Sequence, residues 1–188
     1  VRAFNNVFSR ETADLFEIER ADYVIDAIDS LSCKLDLIEI TLNASKRGPP
    51  ASPSSGAGPG SSGSGPRLFS SMGMACKLDP TRLRTADIWE TEGCPLARLV
   101  RRGLRKRGFT GHFTVVYSDE VLPPAAGEET VCGGGGCFCT DTDNEWCSSK
   151  KTINGSAVTV TAAAGMVLAG LVIRDIYDRT AAARSVRG

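Results

Sequence analysis

An α/β fold, a mostly parallel sheet with flanking helices, is predicted from three features of the 188-residue sequence. Strand-like and helix-like segments alternate along the chain, the order that winds strands into one sheet through helical crossovers. Residues 23–27 (YVIDA) are short and almost continuously apolar, as strands covered on both faces are. Two other stretches repeat apolar residues at spacings of three and four, the period of a helix with one buried side. Hydrophobic residues make up 41% of the chain, enough for a core, which excludes wholesale disorder.

Taken in order, residues 1–4 read as a strand and 11–20 as a helix with Ala13, Leu15 and Phe16 inward. The strand 23–27 follows. Next comes a helix whose start is marked by Asp29 or Ser30, both good cap residues, with the stripe Leu31, Leu35, Ile38 and Leu42. Residues 48–66 break the pattern: all but Ala51 and Ala57 are Gly, Ser or Pro. Such a segment buries no core and reads as a flexible insert within one domain, separating 1–47 from 67–188. Beyond it, 68–71 read as a strand, 77–81 as a turn and 83–89 as a strand. Pro95 suits a first helical turn, and Leu96, Leu99, Val100 and Leu104 form an inward stripe. Residues 112–117 (HFTVVY) read as a strand, 119–151 as a long irregular stretch, 157–161 (AVTVT) as a strand and 162–180 as a helix.

The longest apolar run, 157–173, is at the short edge of a membrane span, which needs about 20 residues. A buried strand followed by a buried helix is the better reading, so no membrane span is expected. The first residue is Val, and neither a signal nor a transit peptide is recognisable, so the chain reads as a fragment, or a processed or misannotated product, with the compartment, cytoplasmic or organellar, left open. Seven cysteines without a secretory signal disfavour a disulfide framework.

Net charge is zero, with 22 basic and 22 acidic residues, but the zero is a cancellation. Residues 95–108 hold six bases and no acid, leaving 16 bases against 22 acids, a net −6, elsewhere. Arg98, Arg101, Arg102 and Arg105 on this segment are candidate phosphate contacts for RNA, against the plainer reading of a solvated helix face. Asp26 and Asp29 fall at the end of one strand and the start of the next helix, where open α/β sheets bind ligands. Two carboxylates there suit Mg²⁺ on a nucleotide, with Lys34 one turn on to neutralise a phosphate. The plain alternative is that Asp29 caps the helix and Lys34 is solvated. Cys132, Cys137, Cys139 and Cys147 supply four soft ligands for zinc, but the spacing lacks the paired C-x2-C of zinc ribbons, so a free Cys-rich loop at 132–147 is favoured. No His partner is placed for Cys33, Cys76 or Cys94, and His112, the only histidine, reads as structural.

The wording of several segments adds to this pattern. ADYVIDAIDS, with Lys34 following, resembles the nucleotide-site strand of the ThiF/MoeB/HesA family of E1-like adenylating enzymes. SMGMACKLDPTRLRTADI, PLARLVRRGLRKRG, VVYSDE and KTINGSAVTVTAAAGMVLA look like its tRNA threonylcarbamoyladenosine dehydratase branch. The resemblance covers about half the chain, and it is the ordered combination that is specific. It implies a Rossmann-like ThiF-type domain of which this chain is the C-terminal part, with 1–47 completing a nucleotide-binding unit. It also implies ATP and Mg²⁺ as cofactors, tRNA as partner, and a homodimer whose small residues 162–170 allow close helix packing. The implied reaction is an ATP-dependent dehydration through an acyl-adenylate, with Asp29 as the metal- and ATP-associated aspartate and Lys34 as a nearby cation. The family's Gly-rich loop and its catalytic Arg and Lys would precede Val1, so the chain alone is expected to bind ATP poorly. The alternatives are an E1-like activator of a sulfur-carrier or ubiquitin-like partner, and a non-catalytic remnant.

Overall fold

The computed structural model describes residues 1–47, 65–121 and 155–185. Four strands form one sheet: β1 (Tyr23–Asp26), β2 (Arg67–Ser71), β3 (Leu83–Asp87) and β4 (Thr114–Ser118). Their spatial order is β1-β2-β4-β3. β1 runs parallel to β2 and β2 parallel to β4, while β3 pairs antiparallel with β4 at the edge. Three long helices complete the fold: α1 (Leu31–Arg47), α2 (Pro95–Lys106) and α3 (Val158–Ser185). Most of the insert 48–66 and the whole Cys-rich loop 132–147 lie outside the described residues, and the zinc expectation with them.

The core sits on both faces of the sheet, and strand alternation assigns the sides. Leu68, Val115 and Tyr117 pack with Leu35, Ile38, Ala97, Val100 and Leu104 of α1 and α2. Phe69 and Val116, one residue out of phase, pack with Val160, Ala164 and Leu168 of α3. The result is a three-layer α/β unit, as the alternating pattern predicts.

α1 and α2 approach closely at Gly103, where an added Cβ would lie 2.5 Å from Leu35 Cδ1. Alanine is normally better than glycine inside a helix, by about 0.5–1 kcal/mol. Here it drives into a packed leucine, and overpacking costs about 1–3 kcal/mol. Gly103→Ala is therefore expected to lower the urea midpoint at unchanged m-value. A raised midpoint would show that Leu35 yields freely.

Besides Leu99 on α2, expected inward but exposed while Ala97 is buried beside Val100 and Leu104, four sequence expectations are corrected. Residues 1–4 form no strand: the Phe4 ring packs tilted against Phe16, centroids 5.1 Å apart, instead of joining a ladder. Residues 11–20 form two short 3₁₀ turns, Ala13–Phe16 and Ile18–Arg20, broken at Glu17, whose φ of 48° is left-handed. Ala13 is buried, but Leu15 faces solvent. β1 is not covered on both faces: Val24 and Asp26 are buried on one, but Ile25 on the other is exposed.

The fourth correction concerns residues 157–161, which are the start of α3 rather than a strand. Val160 and Thr161 donate N–H bonds to the Ala157 carbonyl, and Val160, Ala164 and Leu168, four apart, all bury on the sheet. Both edges of β2 and of β4 are already paired, so a strand here has none of the central positions to join. As one continuous helix, Val158–Ala182 is long and apolar enough to cross a membrane by length and composition, unlike the split run read from the sequence. Its packed side is also fastened by charge, with Asp175 accepting from Tyr23 at 2.6 Å and pairing with Arg67 at 2.9 Å.

Candidate functional site

The last residue of β1 is Asp26, and its carboxylate is wholly buried. Oδ2 accepts from Lys34 Nζ at 2.7 Å and from the Ser70 hydroxyl at 2.5 Å. Ser70 stands directly across from Asp26 in the β1–β2 register. Oδ1 accepts the Ile28 amide at 3.0 Å, which turns the chain out of the sheet. The Lys34 N–H then bonds the Ser30 carbonyl at 2.9 Å, opening the first turn of α1. One aspartate thus ties a strand end, the neighbouring strand and a helix start together.

Lys34 is equally buried, and desolvation lowers its pKa from the ordinary lysine range. The Asp26 charge and hydrogen bond pull the other way, with smaller help from Asp29 and Cys94. Side chains of a first helical turn lean back toward the helix N-terminus, here toward the strand end. The ammonium therefore sits on Asp26 in the interior instead of standing beside a solvent-facing phosphate, as its spacing suggested. Asp29, in contrast, is exposed at the carboxyl end of β1, just before α1. Among the described residues no group of three or more His, Cys, Asp or Glu side chains is arranged to hold a metal. Asp26 has both oxygens engaged, so Asp29 is the carboxylate of the pair with an exposed position.

The six bases of α2 and its cap divide into two sets. Arg101 donates to the Thr91 hydroxyl and, at 3.5 Å, to the Ile88 carbonyl. Arg105 lies over the Trp89 ring at 5.2 Å. Arg107 bonds Asp36 at 2.7 Å and Glu39 at 2.9 Å on α1, a cluster that Arg10 joins. Arg98, Arg102 and Lys106 are exposed and have no partner among the described residues. Neither a row of free phosphate contacts nor a wholly solvated face describes the set: Arg101, a candidate contact, and Arg107 are used within the fold. Lys106 was missing from the sequence-derived contacts, although its spacing from Arg102 and Arg98 was visible.

The segments KLDPT and SDE, remote in sequence, clasp each other. Lys77 is buried and donates to the Glu120 carbonyl. The Glu120 carboxylate accepts the Leu78 and Asp79 amides at 3.0 and 3.1 Å, while Asp119 pairs with Arg82 at 2.8 Å. Sequence reading noticed the wording of both segments but not that they bind each other. Of the described cysteines, Cys33 and Cys94 are buried and Cys76 is exposed, and none of the three forms a disulfide. His112 pairs with Asp87 at 3.2 Å on the surface.

No family model matches the chain. The tRNA threonylcarbamoyladenosine dehydratase of Bacillus subtilis is 33% identical over 176 residues, covering 94% of this chain and 59% of that protein. Across nearly its whole length this chain is similar to the E1-like enzymes of the ThiF/MoeB/HesA type. The E1-like relatives include tRNA threonylcarbamoyladenosine dehydratase 2 of Saccharomyces cerevisiae, 37% identical over 103 residues, which are 55% of this chain and 19% of that one. The solved tRNA N6-threonylcarbamoyladenosine dehydratase of E. coli in complex with ATP shares the fold. Its TM-score is 0.62 at 21% identity, over 95% of this chain and 57% of that one. The chain thus spans from about a fifth to three-fifths of the length of these E1-like relatives. The mostly parallel Rossmann-like sheet expected from the resemblance is the one observed.

Proposed function

We propose that this chain is part of an enzyme that cyclises N6-threonylcarbamoyladenosine in tRNA at the expense of ATP. The observation that carries the reading is the match to the Bacillus dehydratase across 94% of the chain, which includes the Asp26–Asp29 turn. In the proposed reaction, the threonyl carboxylate attacks the α-phosphate of ATP, pyrophosphate leaves, and an acyl-adenylate forms. The neighbouring carbamoyl group then attacks the acyl carbon, AMP departs, and the ring closes with net loss of one water. The nucleophile belongs to the substrate, so no cysteine–histidine pair is required, in keeping with His112 paired to Asp87.

Asp29 is assigned to the ATP side of the site. Mg²⁺ is usually held by one or two carboxylates together with substrate phosphates, and Asp29 fits that mode as a single exposed carboxylate. The ion would supply charge neutralisation at the phosphates. Asp26 and Lys34 are assigned to positioning: they fix the turn from which Asp29 projects. A homodimer belongs to the same reading, with the open face of α3 around Gly165 and Gly170 as the contact, to be read by sedimentation of the complete protein.

The test is to incubate the complete protein with ATP and tRNA bearing threonylcarbamoyladenosine, then digest to nucleosides for mass spectrometry. Loss of one water from the modified nucleoside, with AMP and pyrophosphate formed in equal amounts, is expected. ATP consumption without that loss would overturn the reading in favour of activating another carboxylate.

A further inference from the structure

We infer that Arg98, Arg102 and Lys106 form a phosphate track along α2 for the tRNA backbone, and that the other bases of the segment take no part in it. The inference rests on the proposed tRNA reaction for the identity of the polyanion.

The three residues are spaced i, i+4 and i+8, so they form one row along the solvent side of the helix. At 1.5 Å rise per residue the row is about 12 Å long. Ala97, Val100 and Leu104 fix its orientation, since all three are wholly buried on the opposite side. No acid occurs between Pro95 and Lys106, and the charges nearest the helix end are already committed, with Arg107 on Asp36 and Glu39.

Such a row is unfavourable within the chain itself. Like charges four apart destabilise a helix by about 0.2–0.5 kcal/mol per pair. Arg98 also lies in the first turn, the positive end of the helix dipole, where a cation is least welcome. Arg101, Arg105 and Arg107 relieve their charge on groups of the fold, whereas Arg98, Arg102 and Lys106 have no partner among the described residues. An external polyanion with regularly repeated charge is the complementary ligand. An acidic protein surface would ask for an apolar patch beside the charges, and Leu99, 44% exposed, is the one large apolar side chain on this side of α2.

The test uses the complete protein, labelled tRNA and fluorescence anisotropy between about 50 and 200 mM salt. In the triple variant Arg98→Gln/Arg102→Gln/Lys106→Gln, the slope of log K against log salt is expected to become shallower by about 2–3, and low-salt affinity to fall more than tenfold. Glutamine keeps helix propensity, and circular dichroism checks the fold. Arg107→Gln is expected to lower thermal stability and leave the slope unchanged. An unchanged slope in the triple variant, an equal loss in Arg107→Gln, or binding of an acidic protein but not tRNA would each overturn the inference. The cyclisation assay separates the two claims. Turnover with an unaltered salt slope in the triple variant leaves the function standing without the track. A track without turnover leaves the reverse.

Discussion

Asp26→Asn is expected to cost about 3–5 kcal/mol of folding stability near neutral pH, because it strands a buried ammonium without its counter-charge. Asparagine keeps the size, its one oxygen can still accept the Ile28 amide, and its NH2 can donate to the Ser70 hydroxyl, so charge is the main change. The pH dependence gives the signature. Burial already holds the Lys34 pKa below its ordinary 10.5, and Asp26 is the largest influence opposing that shift. Without Asp26 the folded-state value falls further. Between it and 10.5 the unfolded chain binds more protons than the folded one, so stability rises with pH across this window. The variant is therefore expected to recover stability as pH increases, more steeply than the parent, and to level off above the unfolded lysine value. Urea melts at several alkaline pH values read this directly. A loss that stays constant with pH would mean that Lys34 is not held as a buried ammonium. In the double variant Asp26→Leu/Lys34→Met, where no charge is stranded, most of the loss is expected to return.

That pair also shows where sequence reasoning reaches its limit. The buried side of α1 and most of that of α2 follow from apolar spacing, because each buried stripe recurs at the period of its element, whereas the strand order does not. The start of α3 was misread because alternating Val and Thr satisfy the strand period as well as the helical one. Only the crowded sheet and the burial of Val160, Ala164 and Leu168 decide between them. Asp26 and Lys34 were legible as charged residues at a strand end and in a first helical turn. That they face each other, instead of a ligand, depends on Ser70, which is 44 positions away from Asp26. The basic segment is similar. Its charge is countable, but which bases are used internally depends on Thr91, Trp89, Asp36 and Glu39, brought up by other elements.

Asp29→Asn in the complete protein is expected to reduce cyclisation by on the order of 10²–10³-fold, the scale for removing one preorganised electrostatic contact to a reacting group. The choice of asparagine matters because Asp29 stands just before α1, and the plain alternative for it is a helix cap. Asparagine caps as well as aspartate does, so a capping role predicts nearly full activity in Asp29→Asn and a loss only in Asp29→Ala. A nucleotide-facing role predicts that both variants lose turnover together, since each removes the negative charge that would share an ion with the phosphates. Stability separates the roles again. An exposed residue contributing only to catalysis shifts unfolding by within about 0.5 kcal/mol, whereas loss of a cap costs about 1 kcal/mol. Equal and large losses of cyclisation in both variants, at unchanged urea midpoints, would place Asp29 on the reacting nucleotide. The Asp26–Lys34 pair behind it would then be the structural base that holds it there.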